Sequence, residues 1–155
     1  MAGAEPMTQP QFLITHVAAR QAGLLELTFA DGFSGTADLT EAIDRHPVLK
    51  PLRDQRIFAR VGLDEWHRGV LFADDDALTL ASDNLRALII EQAGDTSHSQ
   101  VIAWMSRHGL TLESAAQALG ISRRMLAYYR SGEKSIPKTV GLAMLGWEVQ
   151  QTAAA

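Results

Sequence analysis

The chain has 155 residues, of which 46% are hydrophobic and 21% are charged, and its formal net charge is −4. This composition is typical of a folded protein, and the length suits one average domain or two small ones. The sequence contains no cysteine, which excludes disulfides and thiolate metal sites, and no apolar run approaches the roughly 18 residues that a membrane span needs.

The first residues, MAGAEPMTQPQ, have neither the basic start nor the apolar core of a secretory signal. Pro6 and Pro10 oppose a helix in this segment. We therefore predict a disordered tail over residues 1–11 and a cytoplasmic location for the protein, with no membrane partner.

Residues 12–45 are predicted to form short strands followed by a helix. In LLELTFADG, the apolar residues 25, 27 and 29 alternate with residues 26, 28 and 30, which is the period of a half-buried strand. Asp31-Gly32 is a strong hairpin-turn signal. The strands are predicted over residues 12–18, 24–30 and 33–37, and the helix over residues 39–45.

His46-Pro47 ends this helix, because a residue before proline avoids the helical region. Residues 51–55 are predicted to form a loop or a helical turn. Further strands are predicted over residues 57–63, 70–73 and 77–81, followed by a helix from the Ser82-Asp83-Asn84 caps to Glu91. Residues 12–94 are therefore predicted to form an α+β domain with a small antiparallel sheet and helices on one side.

The small, polar segment Gly94-Asp95-Thr96-Ser97 is predicted to be the domain boundary. Residues 1–95 contain 8 Lys/Arg and 15 Asp/Glu, a balance of −7, whereas residues 96–155 contain 6 and 3, a balance of +3. The second part is predicted to be an all-α domain over residues 98–150, a composition that suits a polyanion-binding module. Its helices are predicted over residues 99–108, 112–119, 123–130 and 137–150, with a frayed end after them. The first is predicted to bury Val101, Ile102 and Met105, and the third Leu126 and Tyr129.

Residues 111–132 are predicted to form two helices joined by the turn Gly120-Ile121-Ser122. Glycine suits a left-handed helix C-cap, and Ser122 can cap the next helix through its hydroxyl. Arg123 and Arg124 occupy the first turn of that second helix, the end that enters the major groove in a helix-turn-helix protein. The alternative is an ordinary helical hairpin within a bundle, in which the arginines are solvated surface cations.

Residues 98–150 resemble the Cro/cI-type (Xre-like) helix-turn-helix family of bacterial and phage repressors. The resemblance implies a lambda-repressor-like domain in which residues 123–130 form the recognition helix that binds double-stranded DNA. It also implies contacts to bases or phosphates from residues of the helix and of the loop after it. The matching residues are Ala116, Leu119-Gly120-Ile121-Ser122, Leu126, Ser131-Gly132 and Pro137, and the predicted DNA-binding residues are Ser122, Arg123, Arg124, Tyr128, Arg130, Lys134, Ser135 and Lys138.

Two positions depart from that family. Many members begin the first helix of the motif with a glutamine that braces a phosphate contact and a recognition side chain, where this chain has Leu112. Many members also have a glutamate near the end of the recognition helix, where this chain has Arg130. Arg130 is either an additional phosphate contact or a solvated cation.

The N-terminal region offers little catalytic chemistry. Asp74-Asp75-Asp76 could attract a divalent cation, but three consecutive acids between strands more often form a solvated turn. His67 lies near Asp64 and Glu65 without a recognisable nucleophile or third ligand. We therefore predict that the protein is not an enzyme and has no catalytic residue, metal or cofactor.

Residues 12–90 resemble a small bacterial family known as domain of unknown function 2442. The resemblance rests on LTFADG at 27–32, on LKPLRDQRIFARV at 49–61, and on the strand pair from Trp66 to Leu80 leading to SDNLRAL. That family is an α+β domain without an assigned reaction. Some of its members lie beside small toxins in bacterial genomes, and some carry a C-terminal helix-turn-helix.

The sequence thus predicts a bacterial, sequence-specific DNA-binding transcriptional regulator, expected to be a homodimeric repressor on an operator. A small protein bound by the N-terminal domain is a further expected partner. The alternative is an antitoxin-like interaction module whose DNA binding is autoregulatory or absent.

Overall fold

The structure is a computed structural model that describes residues 8–154. The chain divides into two compact units, Met1–Gln92 and Ala93–Ala155. Most of the predicted tail, residues 1–7, lies outside the described residues. Over residues 8–154, no helix has both the length and the apolar character needed to cross a bilayer.

The first unit is α+β, with two antiparallel three-stranded sheets where the sequence predicted one. Each sheet follows chain order, β1-β2-β3 and β4-β5-β6. The strands are β1 (Ile14–Ala19), β2 (Leu24–Phe29), β3 (Ser34–Asp38), β4 (Val61–Leu63), β5 (Gly69–Phe72) and β6 (Asp75–Ala81). The helices are α1 (Thr40–Arg45), α2 (Gln55–Phe58) and α3 (Ser82–Gln92), with 3-10 turns at Pro10–Phe12, Gln21–Gly23 and Pro47–Arg53.

The alternation predicted for β2 is confirmed, since Leu25, Leu27 and Phe29 are buried while the residues between them are half-buried. The core of this unit joins side chains from both sheets and from the helices. Phe58 of α2 stacks on Phe72 of β5, with ring centroids 5.2 Å apart. The helix predicted from the Ser82-Asp83-Asn84 caps is also confirmed.

The strand predicted over residues 57–63 is wrong in its first half. The Asp54 side chain accepts a hydrogen bond from the Arg56 backbone N–H at 2.9 Å and caps the short helix α2, which buries Phe58. Only Val61–Leu63 pairs as a strand. A local cap therefore overrides the strand preference of Ile57, in the way that Asp favours helix starts.

The start of the described chain is more ordered than predicted. Pro10–Phe12 forms a 3-10 turn in which Gln11 is 2% exposed, and the guanidinium of Arg86 donates to the Gln11 carbonyl at 2.9 Å. Arg86 also forms a two-point ion pair with Asp31, with Nη1–Oδ1 and Nη2–Oδ2 distances of 3.0 and 2.8 Å. It lies 4.3 Å from the centroid of Phe33. This buried arginine therefore ties α3 to the β2–β3 turn and to the 3-10 turn Pro10–Phe12.

The described part of the second unit contains four helices, each close to its predicted position. A capping box begins the first of them, because the Ser97 hydroxyl and the Gln100 side chain bond each other's backbone N–H groups. The helices are α4 (His98–Arg107), α5 (Leu112–Leu119), α6 (Arg123–Ser131) and α7 (Lys138–Ala154). Their core comprises Val101, Trp104, Met105, Ala115, Ala116, Leu126, Tyr129, Val140 and Met144.

Three details of the helical unit differ from the predictions. Ile102, predicted to be buried, is 48% exposed. Pro137 lies just before α7 and accepts from the Val140 N–H at 3.0 Å, so the helix begins at Lys138. The helix also continues beyond Gln150 to Ala154, where the predicted fraying is replaced by helix, consistent with the high helix propensity of alanine.

A cluster of charged side chains joins α4 to α7. Glu148 accepts hydrogen bonds from Arg107 Nε at 3.2 Å and lies 2.7 Å from His108 Nε2. These two neighbours, His108 first and Arg107 second, lower the pKa of the Glu148 carboxyl. The carboxylate therefore stabilises the folded helical unit.

The helical unit is expected to lose this contribution in acid. The stabilisation is fully present above pH 4.5, the ordinary pKa of Glu148, and disappears as the pH falls through the lowered value of the folded state. In Glu148→Gln, the free energy of unfolding of the helical unit should therefore fall less steeply below that pH than in the wild type. Unfolding can be followed by the fluorescence of Trp104 and Trp147 in a Trp66→Phe background, in which only the tryptophans of the helical unit remain. Glu113→Gln removes a carboxyl elsewhere in the unit and should keep the loss, whereas identical profiles for Glu148→Gln and wild type would contradict this assignment.

Candidate nucleic-acid interface

The turn between α5 and α6 is built from local caps. Gly120 ends α5 in the left-handed conformation (φ 71°, ψ 29°), and the N–H of Ile121 bonds the Ala116 carbonyl at 3.1 Å. The Ser122 hydroxyl accepts from the Met125 N–H at 3.0 Å and so begins α6. Both predicted caps are confirmed. They fix the direction of α6 through bonds that span five residues or fewer.

Helix α6 has one buried and one exposed face. Leu126 and Tyr129 enter the core of the helical unit, being 0% and 8% exposed. Arg123 and Arg124 are exposed at the start of the helix, and Tyr128 is half-buried. With Arg130, which is exposed near its end, the helix therefore presents three cations and one phenol away from its core.

Arg124, Tyr128 and Lys134 form one contact group, here called the Tyr128 cluster. Arg124 donates from Nε and Nη2 to the Tyr128 hydroxyl at 3.3 and 3.2 Å. The Lys134 ammonium lies 4.6 Å from the centroid of the same ring, within the range of a cation–π contact. The hydrogen bond to Tyr128 raises the pKa of Arg124.

The loop after α6 brings Lys134 to this cluster. Gly132 ends the helix in the left-handed conformation, with φ 80°. The N–H groups of Glu133 and Lys134 then bond back to the Tyr128 carbonyl at 3.1 and 3.4 Å. The loop is thus folded onto the last turn of α6, which holds the lysine above the ring.

The other predicted DNA-binding residues are solvent-exposed and lie outside this cluster. Arg130 follows Arg123 by seven residues and so shares its side of α6. The hydroxyl of Ser122 is engaged in capping α6. Ser135 and Lys138 are exposed between α6 and the first turn of α7.

Two residues of this surface, Ala127 and Glu133, are not among the predicted DNA-binding residues. Ala127, which is half-buried, lies between Arg123 and Arg130 on the same helical face, and the i, i+4 spacing is the signal that could have found it. Glu133 places a carboxylate beside Lys134, and it accepts from the Ser131 hydroxyl at 2.8 Å. The surface is therefore not uniformly cationic.

The three consecutive aspartates of the first unit are divided between a turn and a strand. Ala73 and Asp74 form the β5–β6 turn with φ angles of 55° and 54°, and Asp75 already belongs to β6. The prediction that all three aspartates lie in a turn is therefore wrong for Asp75 and Asp76. Over residues 8–154, no three His, Asp or Glu side chains converge as metal ligands.

The chain is similar to a protein of known structure, the “Putative DNA Binding Protein NE0471” from Nitrosomonas europaea. The two sequences are 40% identical, and the structures superpose with a TM-score of 0.80. The similarity covers 88% of this chain and 86% of the other. No protein-family model and no curated protein matches the chain.

Proposed function

The chain belongs to the family of the “Putative DNA Binding Protein NE0471”, and on this premise we propose that it is a sequence-specific, DNA-binding transcriptional regulator. In this proposal, α5 and α6 act as a helix-turn-helix of the Cro/cI type, and α6 enters the major groove. The observation that carries the proposal is the Tyr128 cluster, because it holds cations on the exposed side of a helix that follows a tight turn.

Arg124 is the proposed base-reading residue. Its Nε and one proton of Nη2 are directed to Tyr128. The Nη1 group and the second Nη2 proton form the end of the guanidinium fork, and a fork of this kind can bind O6 and N7 of guanine together. The hydrogen bond restricts the rotamers of Arg124 before DNA binds, which lowers the entropy lost on binding.

Tyr128 is proposed to replace the glutamine brace that this chain lacks. Leu112 cannot donate or accept a side-chain hydrogen bond at the position where many family members have glutamine. The Tyr128 hydroxyl offers one from the recognition helix itself, and its ring places Lys134 for a phosphate. Arg123, Arg130 and Ser135 are proposed to contact bases or the DNA backbone, and Ser122 to contact the backbone at the start of α6.

The role of Tyr128 can be measured with Tyr128→Phe, which removes the hydroxyl and keeps the ring. We expect affinity for the preferred duplex to fall about fivefold, since a hydrogen bond of this kind is worth roughly 1 kcal/mol. Fluorescence anisotropy on preferred and scrambled duplexes is the assay. The loss should be confined to the preferred duplex, because Lys134 still rests on the phenyl ring; an equal loss on both duplexes would contradict the bracing role.

We further propose that the regulator is a homodimeric repressor acting on a pseudo-palindromic operator. One recognition helix contacts only a few base pairs, and two-fold proteins of this class bind two half-sites about one helical turn apart. The first unit is proposed to sense a signal or to bind a small protein. Its exposed Trp66 and Val48, at 64% and 58%, are the kind of side chains that protein partners cover.

The direct test is selection of bound duplexes from a random library at low salt, with the full chain. Enrichment of one sequence, especially one with two-fold symmetry, is the expected result. Failure to enrich any sequence would overturn the proposal. If a function in cells survives Arg123→Ala combined with Arg124→Ala, the antitoxin-like alternative, which the exposed Trp66 favours, replaces it.

A further inference from the structure

Helix α7 has an apolar face that its own unit does not cover. Val140 and Met144 point into the core and are 7% and 6% exposed. On the other side of the helix, Leu142, Leu145 and Val149 are 57%, 60% and 68% exposed. These three are half of the large exposed apolar side chains found over residues 8–154, and such a concentration on one helix marks an interaction surface.

The last turns of α7 are also exposed to solvent. Every residue from 149 to 154 is exposed, although all six are helical. A helix gains most of its stability from packing rather than from intrinsic propensity. The last turns of α7 are therefore expected to be stabilised by an additional contact along the exposed face.

The spacing of the exposed face suits another helix. Lys138, Leu142, Leu145, Val149 and Thr152 follow one another at separations of four, three, four and three residues. This is the spacing of the a and d positions in a coiled coil, in which like seams interlock. We call these five residues the α7 seam.

The charges of α7 favour a second α7 as the partner and an antiparallel direction for the pair. Lys138 is the charged residue of the seam, and within Lys138–Ala154 the first turn has no acidic residue and the last turn no basic residue. Both ends of α7 thus lack the charges that a helix dipole favours. An antiparallel second α7 supplies the missing cation at the last turn, because each Lys138 then lies beside the carbonyl end of the other helix, whereas parallel helices would place the two lysines together.

We propose that α7 pairs with α7 of a second copy of this chain, antiparallel, along the α7 seam. The inference deepens the proposed function, on which it rests for its biological meaning, by assigning the surface that makes the two-fold dimer. Leu142, Leu145 and Val149 form the apolar centre of the contact, and the Lys138 side chains lie at its two ends.

Sedimentation equilibrium without DNA tests the pairing. Wild type should have twice the 16.9 kDa mass of one chain, and Leu145→Gln combined with Val149→Gln should raise the dimer dissociation constant at least tenfold. Both side chains are exposed, so circular dichroism should show that the helical unit stays folded, with helix lost only from the last turns of α7. Ile102→Gln is the matched control, since Ile102 is an exposed apolar residue of α4 outside the seam. Two results would overturn the proposal: a monomeric wild type or an unchanged dimer in the double variant. A monomeric wild type would indicate that a different protein binds the α7 seam.

Crosslinking tests the direction. The chain contains no cysteine, so single cysteines can be introduced without interference. A short bismaleimide should join Lys138→Cys to Val149→Cys or Thr152→Cys when two variants are mixed. Crosslinking of Lys138→Cys with itself would show parallel helices and overturn the antiparallel arrangement.

These results are separable from those of the proposed function. A stable dimer with crosslinked α7 helices that enriches no DNA sequence would overturn DNA binding and leave the pairing. A monomer that binds a half-site would overturn the pairing and leave DNA binding.

Discussion

Replacing Arg124 with alanine is expected to weaken binding to the preferred duplex by about 5- to 150-fold. This range corresponds to the roughly 1–3 kcal/mol that a two-point contact to guanine contributes. Arg124 is exposed and already held by the Tyr128 hydroxyl, so the substitution removes the contact without opening a cavity. Anisotropy titrations on the preferred duplex and on duplexes substituted at each base pair measure the effect.

The dependence of the affinity loss on DNA sequence distinguishes a base contact from a phosphate contact. Arg124→Ala should relax preference at one base pair, while Arg45→Ala, which removes the same charge from an exposed arginine of the first unit, should leave affinity nearly unchanged. If Arg124→Ala weakens all duplexes equally and flattens the salt dependence, Arg124 contacts phosphate and not a base.

The parts of the helical unit that could be predicted are those determined by close neighbours. The bounds of α5 agree with the prediction, and Gly120 and Ser122 cap the two helices as their residue types suggest. Caps form through bonds within one turn, so four or five residues of sequence contain the necessary information. The spacing of Leu126 and Tyr129 placed the buried face of α6 in the same way.

The parts that were missed depend on contacts between distant residues or on competition between local signals. Alternation predicts a strand but not its partner, so two sheets could not be separated from one. The Asp54 cap outweighs the strand preference of Ile57. In the Tyr128 cluster, the Arg124 contact has an i, i+4 spacing that was available in the sequence. The position of Lys134 depends on how the chain turns after Gly132.

Asp31→Asn is expected to destabilise the first unit by about 3 kcal/mol. Asparagine suits a turn before Gly32 as well as aspartate does, so the substitution removes the charge and keeps the turn. Arg86, whose side chain is 8% exposed, then loses its carboxylate partner. An unpaired buried charge costs roughly 3–5 kcal/mol, and the 25% exposure of Asp31 places the effect at the lower end. Hydrogen exchange along β2, β3 and α3 measures the loss directly.

The matched control is Asp44→Asn, which breaks the ion pair between Asp44 and Arg53. Those side chains are 61% and 56% exposed, so water solvates whichever charge remains and the expected change is below about 1 kcal/mol. The comparison separates burial from charge, because each variant removes one carboxylate paired with an arginine. Exchange in α5 and α6 should stay at the wild-type rate in both variants, since their core has its own side chains. Equal losses in the two variants would show that Arg86 finds another partner, and that the pair with Asp31 does not hold α3 to the β2–β3 turn.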